Sequence, residues 1–73
     1  MLSKLMKKAI NVFDKEMKNK GVEIRDVLMW EYLIDKAAFK ITCNLLALNK
    51  YYYVIISVNS TNNEYTISDL HEE

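Results

Sequence analysis

Between Phe39 and Val58 two alternating apolar runs meet at Asn49 and Lys50. With those two residues as the turn, Ala47 faces Tyr52, Leu45 faces Val54, Cys43 faces Ile56 and Ile41 faces Val58. One side of the pair is then apolar throughout. Side chains alternate between the faces of a strand, so a one-residue slip would turn the whole set outward. The pattern demands a hairpin with a buried face, and with it a second element to cover that face. The reverse side is mixed: Leu46, Leu48, Tyr51, Tyr53 and Ile55 lie among Lys40, Thr42, Asn44 and Ser57.

The covering element is the N-terminal segment. Leu2, Leu5, Met6, Ala9, Ile10, Phe13 and Met17 recur at steps of three and four, with Lys4, Lys7, Lys8, Asn11, Lys15 and Lys18 on the opposite side. This is an amphipathic helix over residues 2–20. Ser3 is placed to cap its start, Asp14 and Lys18 stand one turn apart, and Gly21 falls where a left-handed C-terminal cap is expected.

Residues 22–38 are ambiguous, since Asp26 can cap a second helix and Leu28, Met29, Glu31 and Leu33 favour one. Read as a strand over 27–34, Leu28, Trp30, Tyr32 and Ile34 point one way. A turn at Asp35 and Lys36 then pairs them with Cys43, Ile41, Phe39 and Ala37, and sets Glu31 opposite Lys40, a favourable cross-strand pair. This register extends the apolar face of the central hairpin, so the strand is preferred, although Asp-Lys lacks the asparagine or glycine that two-residue turns favour. The remaining strands fall at 39–47, 51–58 and 64–68. The last of these opposes Val58 to Tyr65 and Ile56 to Ile67 after a run of polar turn formers, Asn59 to Asn63. Residues 69–73 are expected to fray. The fold expected is α+β in two layers: one N-terminal amphipathic helix packed on an antiparallel meander of three to four strands, in one domain over residues 1–73.

At 73 residues the chain is near the size at which one core barely holds a fold unaided, and a second copy would relieve that limit. Charge is polarised although the formal net charge is zero. Residues 1–20 carry six lysines against Asp14 and Glu16, and residues 59–73 carry Glu64, Asp69, Glu72 and Glu73 with no lysine or arginine. The lone cysteine, Cys43, allows no disulfide within the chain and reads as a buried structural thiol in reducing cytoplasm. No apolar run approaches the ~18–20 residues of a membrane span, and the N-terminus lacks a signal-peptide core.

Sites of chemistry are sparse. His71 is the one histidine and lies in the expected frayed tail, so no metal site and no base beside a nucleophile are expected. Cys43 has no cationic neighbour to activate it. Glu31 and Asp35 read as partners of Lys40 and Lys36 rather than as an acid–base pair. With one glycine there is no phosphate-cradling loop. No enzyme activity, cofactor or small-molecule substrate is expected. The outward residues Leu46, Leu48, Tyr51, Tyr53 and Ile55, with Met29 and Leu33 near them, read as a protein-interaction patch, through which a homodimer or a protein partner would form. The alternative is nucleic-acid binding through Lys4, Lys7, Lys8, Lys15 and Lys18. It is disfavoured by the absence of arginine on that helix and by the acidic tail.

A short chain rich in lysine, asparagine, isoleucine and tyrosine, without proline, and ordered as a basic amphipathic helix followed by a strand meander, resembles small phage and prophage proteins of low-GC bacteria. It is similar to the prophage family named YopT. That resemblance implies a homodimer of one helix and three strands, and a strand rather than a helix over 27–34. It carries no functional residues over. On it rests the expectation of a phage-borne modulator of a host or phage protein, in the cytoplasm that the cysteine usage implies.

Overall fold

The computed structural model describes residues 4–47, 50–59 and 61–73. One helix, α1 (Lys4–Asn19), precedes β1 (Ile24–Leu33), a 3-10 turn (Ile34–Lys36), β2 (Ala38–Leu45), β3 (Tyr51–Asn59), β4 (Glu64–Ile67) and β5 (His71–Glu72). The strands form one antiparallel sheet in the order β1-β2-β3-β4, and β5 pairs with β3 as well. The α+β fold expected from the sequence is the fold observed. The ambiguous segment is a strand, because its apolar residues gain partners on β2 that outweigh a weak helical propensity. Ser3, Leu48 and Asn49, to which a cap, a surface role and a turn were assigned, lie outside the described residues, as does Leu2.

Helix α1 buries Ala9, Phe13 and Met17 against Phe39, Ile41 and Cys43 of β2 and Val54 and Ile56 of β3. Phe13 meets Trp30 of β1 edge to face, with ring centroids 6.2 Å apart. The helix stops at Gly21, at φ 68°. The Val22 N–H donates to the Met17 carbonyl at 2.9 Å and the Gly21 N–H to the Lys18 carbonyl at 3.1 Å. These two bonds close the helix end, and they require the left-handed residue that glycine supplies. The ion pair one turn apart is Glu16–Lys20, at 3.7 Å, in place of the expected Asp14–Lys18. At the other end the Lys8 ammonium lies 4.7 Å over the Tyr65 ring and donates to the Asn63 carbonyl at 3.1 Å. The helix is thereby tied to the β4 side of the sheet.

Three registers were expected. Two stand as read near their turns: Trp30↔Ile41, Glu31↔Lys40 and Tyr32↔Phe39 between β1 and β2, and Ile56↔Ile67 and Val58↔Tyr65 between β3 and β4. The first departs beyond them. A bulge between Val27 and Met29 places Val27 opposite Cys43, where Leu28 was expected, and Leu28 is exposed. Ile34 is also exposed, because it opens the 3-10 turn instead of continuing the strand.

The central hairpin is corrected. Ile41 pairs with Val54, Cys43 with Tyr52 and Phe39 with Ile56, four positions along β3 from the expected partners. The last pair is Asn44↔Tyr51, so the connection is a longer loop than a two-residue turn at Asn49 and Lys50, and Ala47 stands exposed in it. A displacement by an even number keeps every side chain on its face, which is why the buried set is nearly the one expected.

The C-terminal segment is a second correction. Residues 69–73 do not stand free of the sheet: Tyr53 pairs with His71 and Tyr52 with Glu72, and the Glu73 N–H donates to the Tyr51 carbonyl at 2.9 Å. Between β4 and β5 the register moves by one residue, the mark of a bulge. There the Ser68 N–H donates to the Ile55 carbonyl, and the Ile55 N–H donates to Ser68 Oγ, both at 2.9 Å. The serine hydroxyl thus stands in for a carbonyl that the bulge turns away.

Candidate functional site

Of the residues expected to form an interaction patch, Leu33, Tyr53 and Ile55 line one groove together with Glu31, Lys36 and Lys40, and Leu46 lies apart from it. Tyr51, Tyr53 and Ile55 share the outer sheet face, as their alternation on β3 requires. Of these Tyr51 is exposed, while Tyr53 and Ile55 are half-buried. His71 stacks on the Tyr53 ring, with centroids 5.3 Å apart and planes 30° from parallel, and the Lys40 ammonium lies 4.7 Å from that ring's centroid. Leu46 follows the end of β2 and bends away beside Val22 and Glu23, its N–H donating to the Glu23 carbonyl at 3.0 Å. Leu48 lies outside the described residues. The outer face is therefore a mixed surface, partly covered by the segment expected to fray.

The exposed apolar side chains concentrate elsewhere. Val27, Leu28, Met29, Tyr32 and Ile34, on or just beyond β1, are between 40% and 80% exposed. Two causes combine. Strand β1 is a sheet edge, so one row of its backbone N–H and C=O groups has no neighbouring strand. Helix α1, tied toward β4, leaves the β1 side of its own layer open, and a cleft lined by Leu5, Met6, Tyr32 and Phe39 runs between them. From Met29 to Leu33 the strand is regular, with Glu31 its one charged residue. The sequence carries this signal in the density of large apolar residues from Val27 to Ile34, but bulges and edge position are tertiary outcomes: Leu28, Tyr32 and Ile34 read as core-facing, and only Met29 and Leu33 as outward.

The five lysines of the alternative reading, Lys4, Lys7, Lys8, Lys15 and Lys18, are all exposed. At about 100° per residue they fall within an arc of about 100° opposite the buried side of α1, and at one edge of that arc Lys8 reaches Tyr65 and Asn63 beside β4.

A second set of lysines meets the acidic tail. Lys20 Nζ lies 3.0 Å from Asp69, Lys40 Nζ 3.1 Å from Glu73 and Lys50 Nζ 3.2 Å from Glu72. The hydrogen bond with Asp69 raises the Lys20 pKa above its ordinary value, and the same bond lowers that of Asp69. Lys40 is raised by its hydrogen bond with Glu73 and, less, by Glu31 across the strand. The expected Glu31–Lys40 neighbourhood is present, but Glu73 takes the direct contact.

Cys43 is fully buried, and desolvation pushes its thiol pKa up, the opposite of what activates a nucleophile. Among the described residues no group of three or more His, Cys, Asp or Glu is placed to hold a metal ion, and no helix is long and apolar enough to cross a membrane. Comparison with known proteins finds no matching family model, no similar curated protein and no similar solved structure.

Proposed function

We propose that this protein is a non-catalytic interaction module that works as a homodimer, with β1 as the docking edge. One observation carries the reading: a ten-residue edge strand exposes Val27, Leu28, Met29 and Tyr32, and Ile34 just beyond it is exposed as well. Exposed edges with large apolar side chains invite a further strand, and monomeric proteins ordinarily blunt them with charge or cover. In an antiparallel two-fold pairing the same edge serves both copies, so apolar meets apolar and the free backbone groups of Met29–Leu33 gain partners. A continuous sheet across two copies also enlarges a core that is small for a lone chain. A phage-borne modulator of a host or phage protein fits this form, with the dimer presenting its remaining surfaces twice.

Sedimentation equilibrium of the wild type beside Met29→Lys tests this. Met29 is exposed, so the monomer fold tolerates the change. The wild type is expected to be dimeric at about 10 μM, and the variant monomeric with unchanged far-UV circular dichroism. A monomeric wild type at about 100 μM would overturn the reading.

A second reading rests on the lysine stripe of α1, which suits a polyanion such as nucleic acid. It predicts affinity for duplex DNA or RNA that falls steeply with salt, with a log–log slope of up to about −4.5 on DNA if all five lysines meet phosphates. A slope near zero, or no binding at ~50 mM salt, removes it.

A further inference from the structure

The last residues of the chain are bound to the sheet as a peptide ligand would be. They join β3 by two residue pairs, Tyr53↔His71 and Tyr52↔Glu72, and are set off from β4 by the bulge at Ser68. Each carboxylate of the segment meets a lysine from a different part of the fold: Asp69 meets Lys20, just past the end of α1, Glu72 meets Lys50 before β3, and Glu73 meets Lys40 of β2. Leu70 alone packs against the core. His71 lies flat on Tyr53, and the side chains of Asp69 and Glu72 stay more than half exposed. Three cations around one short stretch of sheet edge, with an apolar seat between them and the Tyr53 ring beside it, form a recognition pattern: acidic, apolar, aromatic, acidic, acidic. Strand addition to an edge supplies affinity through the backbone and specificity through such side-chain seats.

We propose that the β3 edge from Tyr51 to Ile55, flanked by Lys20, Lys40 and Lys50, is a docking site for an extended acidic segment of a partner protein, a site that residues 69–73 occupy in cis. The segment is held by few pairs and by solvent-exposed ion pairs, which are individually weak and screened by salt. A partner strand of the same pattern displaces it without disturbing β4. This surface is distinct from the β1 edge, and neither depends on the other.

The test uses the full chain carrying Asp69→Lys, Glu72→Lys and Glu73→Lys, which turns the cis segment into a poor ligand. The probe is the fluorescein-labelled peptide Ser-Asp-Leu-His-Glu-Glu. The variant is expected to bind it at least tenfold more tightly than the wild type does. Binding should weaken at least tenfold between about 50 and 500 mM NaCl, and be lost when Lys40→Glu and Lys50→Glu are added. Met29→Lys, which addresses the β1 edge, should leave it unchanged. Equal binding by variant and wild type, no binding by either, or equal binding of the peptide Ser-Lys-Leu-His-Lys-Lys would overturn the proposal. Should the variant fail to fold, amide exchange of the wild type decides. The amides of residues 71–73 are expected to exchange at least tenfold faster than those of 65–67, and faster still in high salt. Equal protection at both salt concentrations overturns it.

Discussion

Ala37 stands at φ 47°, ψ 52°, just before β2. That left-handed region costs an ordinary L-residue ~1–2 kcal/mol, and it arises because the β1–β2 connection is a 3-10 turn closed by the Ala37 N–H donating to the Ile34 carbonyl at 3.3 Å. Ala37→Gly removes the strain and gives back part of the gain as unfolded-state entropy. Urea denaturation is expected to show a gain of about 0.5–1 kcal/mol, and a loss would contradict the loop conformation. Gly21 is the mirror case. A Cβ there meets nothing within 4 Å, so Gly21→Ala should cost only the backbone term, about 1 kcal/mol. The glycine cap was legible, since one glycine followed the end of a periodic segment. The alanine was not: Asp35 and Lys36 marked a turn lacking its usual residue, and nothing in the sequence says that the neighbouring alanine takes the strained position.

At the scale of elements, what alternation can specify is a face, not a partner. Ile41, Cys43, Val54 and Ile56 are buried in the observed register and would be buried equally in the expected one, because the two differ by an even number of residues. Only the loop and the neighbouring strands choose between them. The β3–β4 register was legible because its loop is short and marked by asparagines. The Asn59 Oδ1 accepts the Thr61 N–H and the Asn62 Oδ1 accepts the Glu64 N–H, each at 3.0 Å, and Asn63 takes φ 56°, which asparagine tolerates better than most residues. Past Ile67 the signal failed, because a bulge interrupts the alternation and Ser68 replaces a backbone acceptor with its side chain. Ser68→Ala leaves the part-buried Ile55 N–H without that acceptor, at a cost of about 1–2 kcal/mol. The amides of 71–73 should lose protection while those of 65–67 keep most of theirs. Uniform loss across both would mean that β4 and β5 behave as one strand.

Across the whole molecule the acidic C-terminal part of the sequence meets lysines from three places in the chain, of which only Lys20 belongs to the basic N-terminal part. Acidic residues near the C-terminus sit against lysines that a linear reading assigns to the end of a helix, a strand and a turn, so the polarity was legible and its use was not. The docked segment should depend on pH in a definite sense. Asp69 is depressed, so its contribution is present above the unfolded carboxylate value of ~4 and disappears as pH falls through the lower folded value. Lys20 and Lys40 are raised, so theirs is present below ~10.4 and disappears as pH rises through the folded values. In a His71→Gln variant, which removes the neighbouring imidazole, the Leu70 methyl shifts are therefore expected to stay constant between about pH 5 and 10 and to move only outside that window, with Ile67 as the reference. A transition centred near pH 7 would contradict the ion-pair account. The β1 edge bears on the central claim, that two copies join through this strand. The most direct measurement is amide hydrogen exchange across β1 at ~5 and ~500 μM protein. Pairing between copies predicts that alternate amides of Met29–Leu33, those pointing away from β2, gain protection with concentration while β3 does not change. Concentration-independent exchange at those amides, with the protein folded at both concentrations, would contradict it.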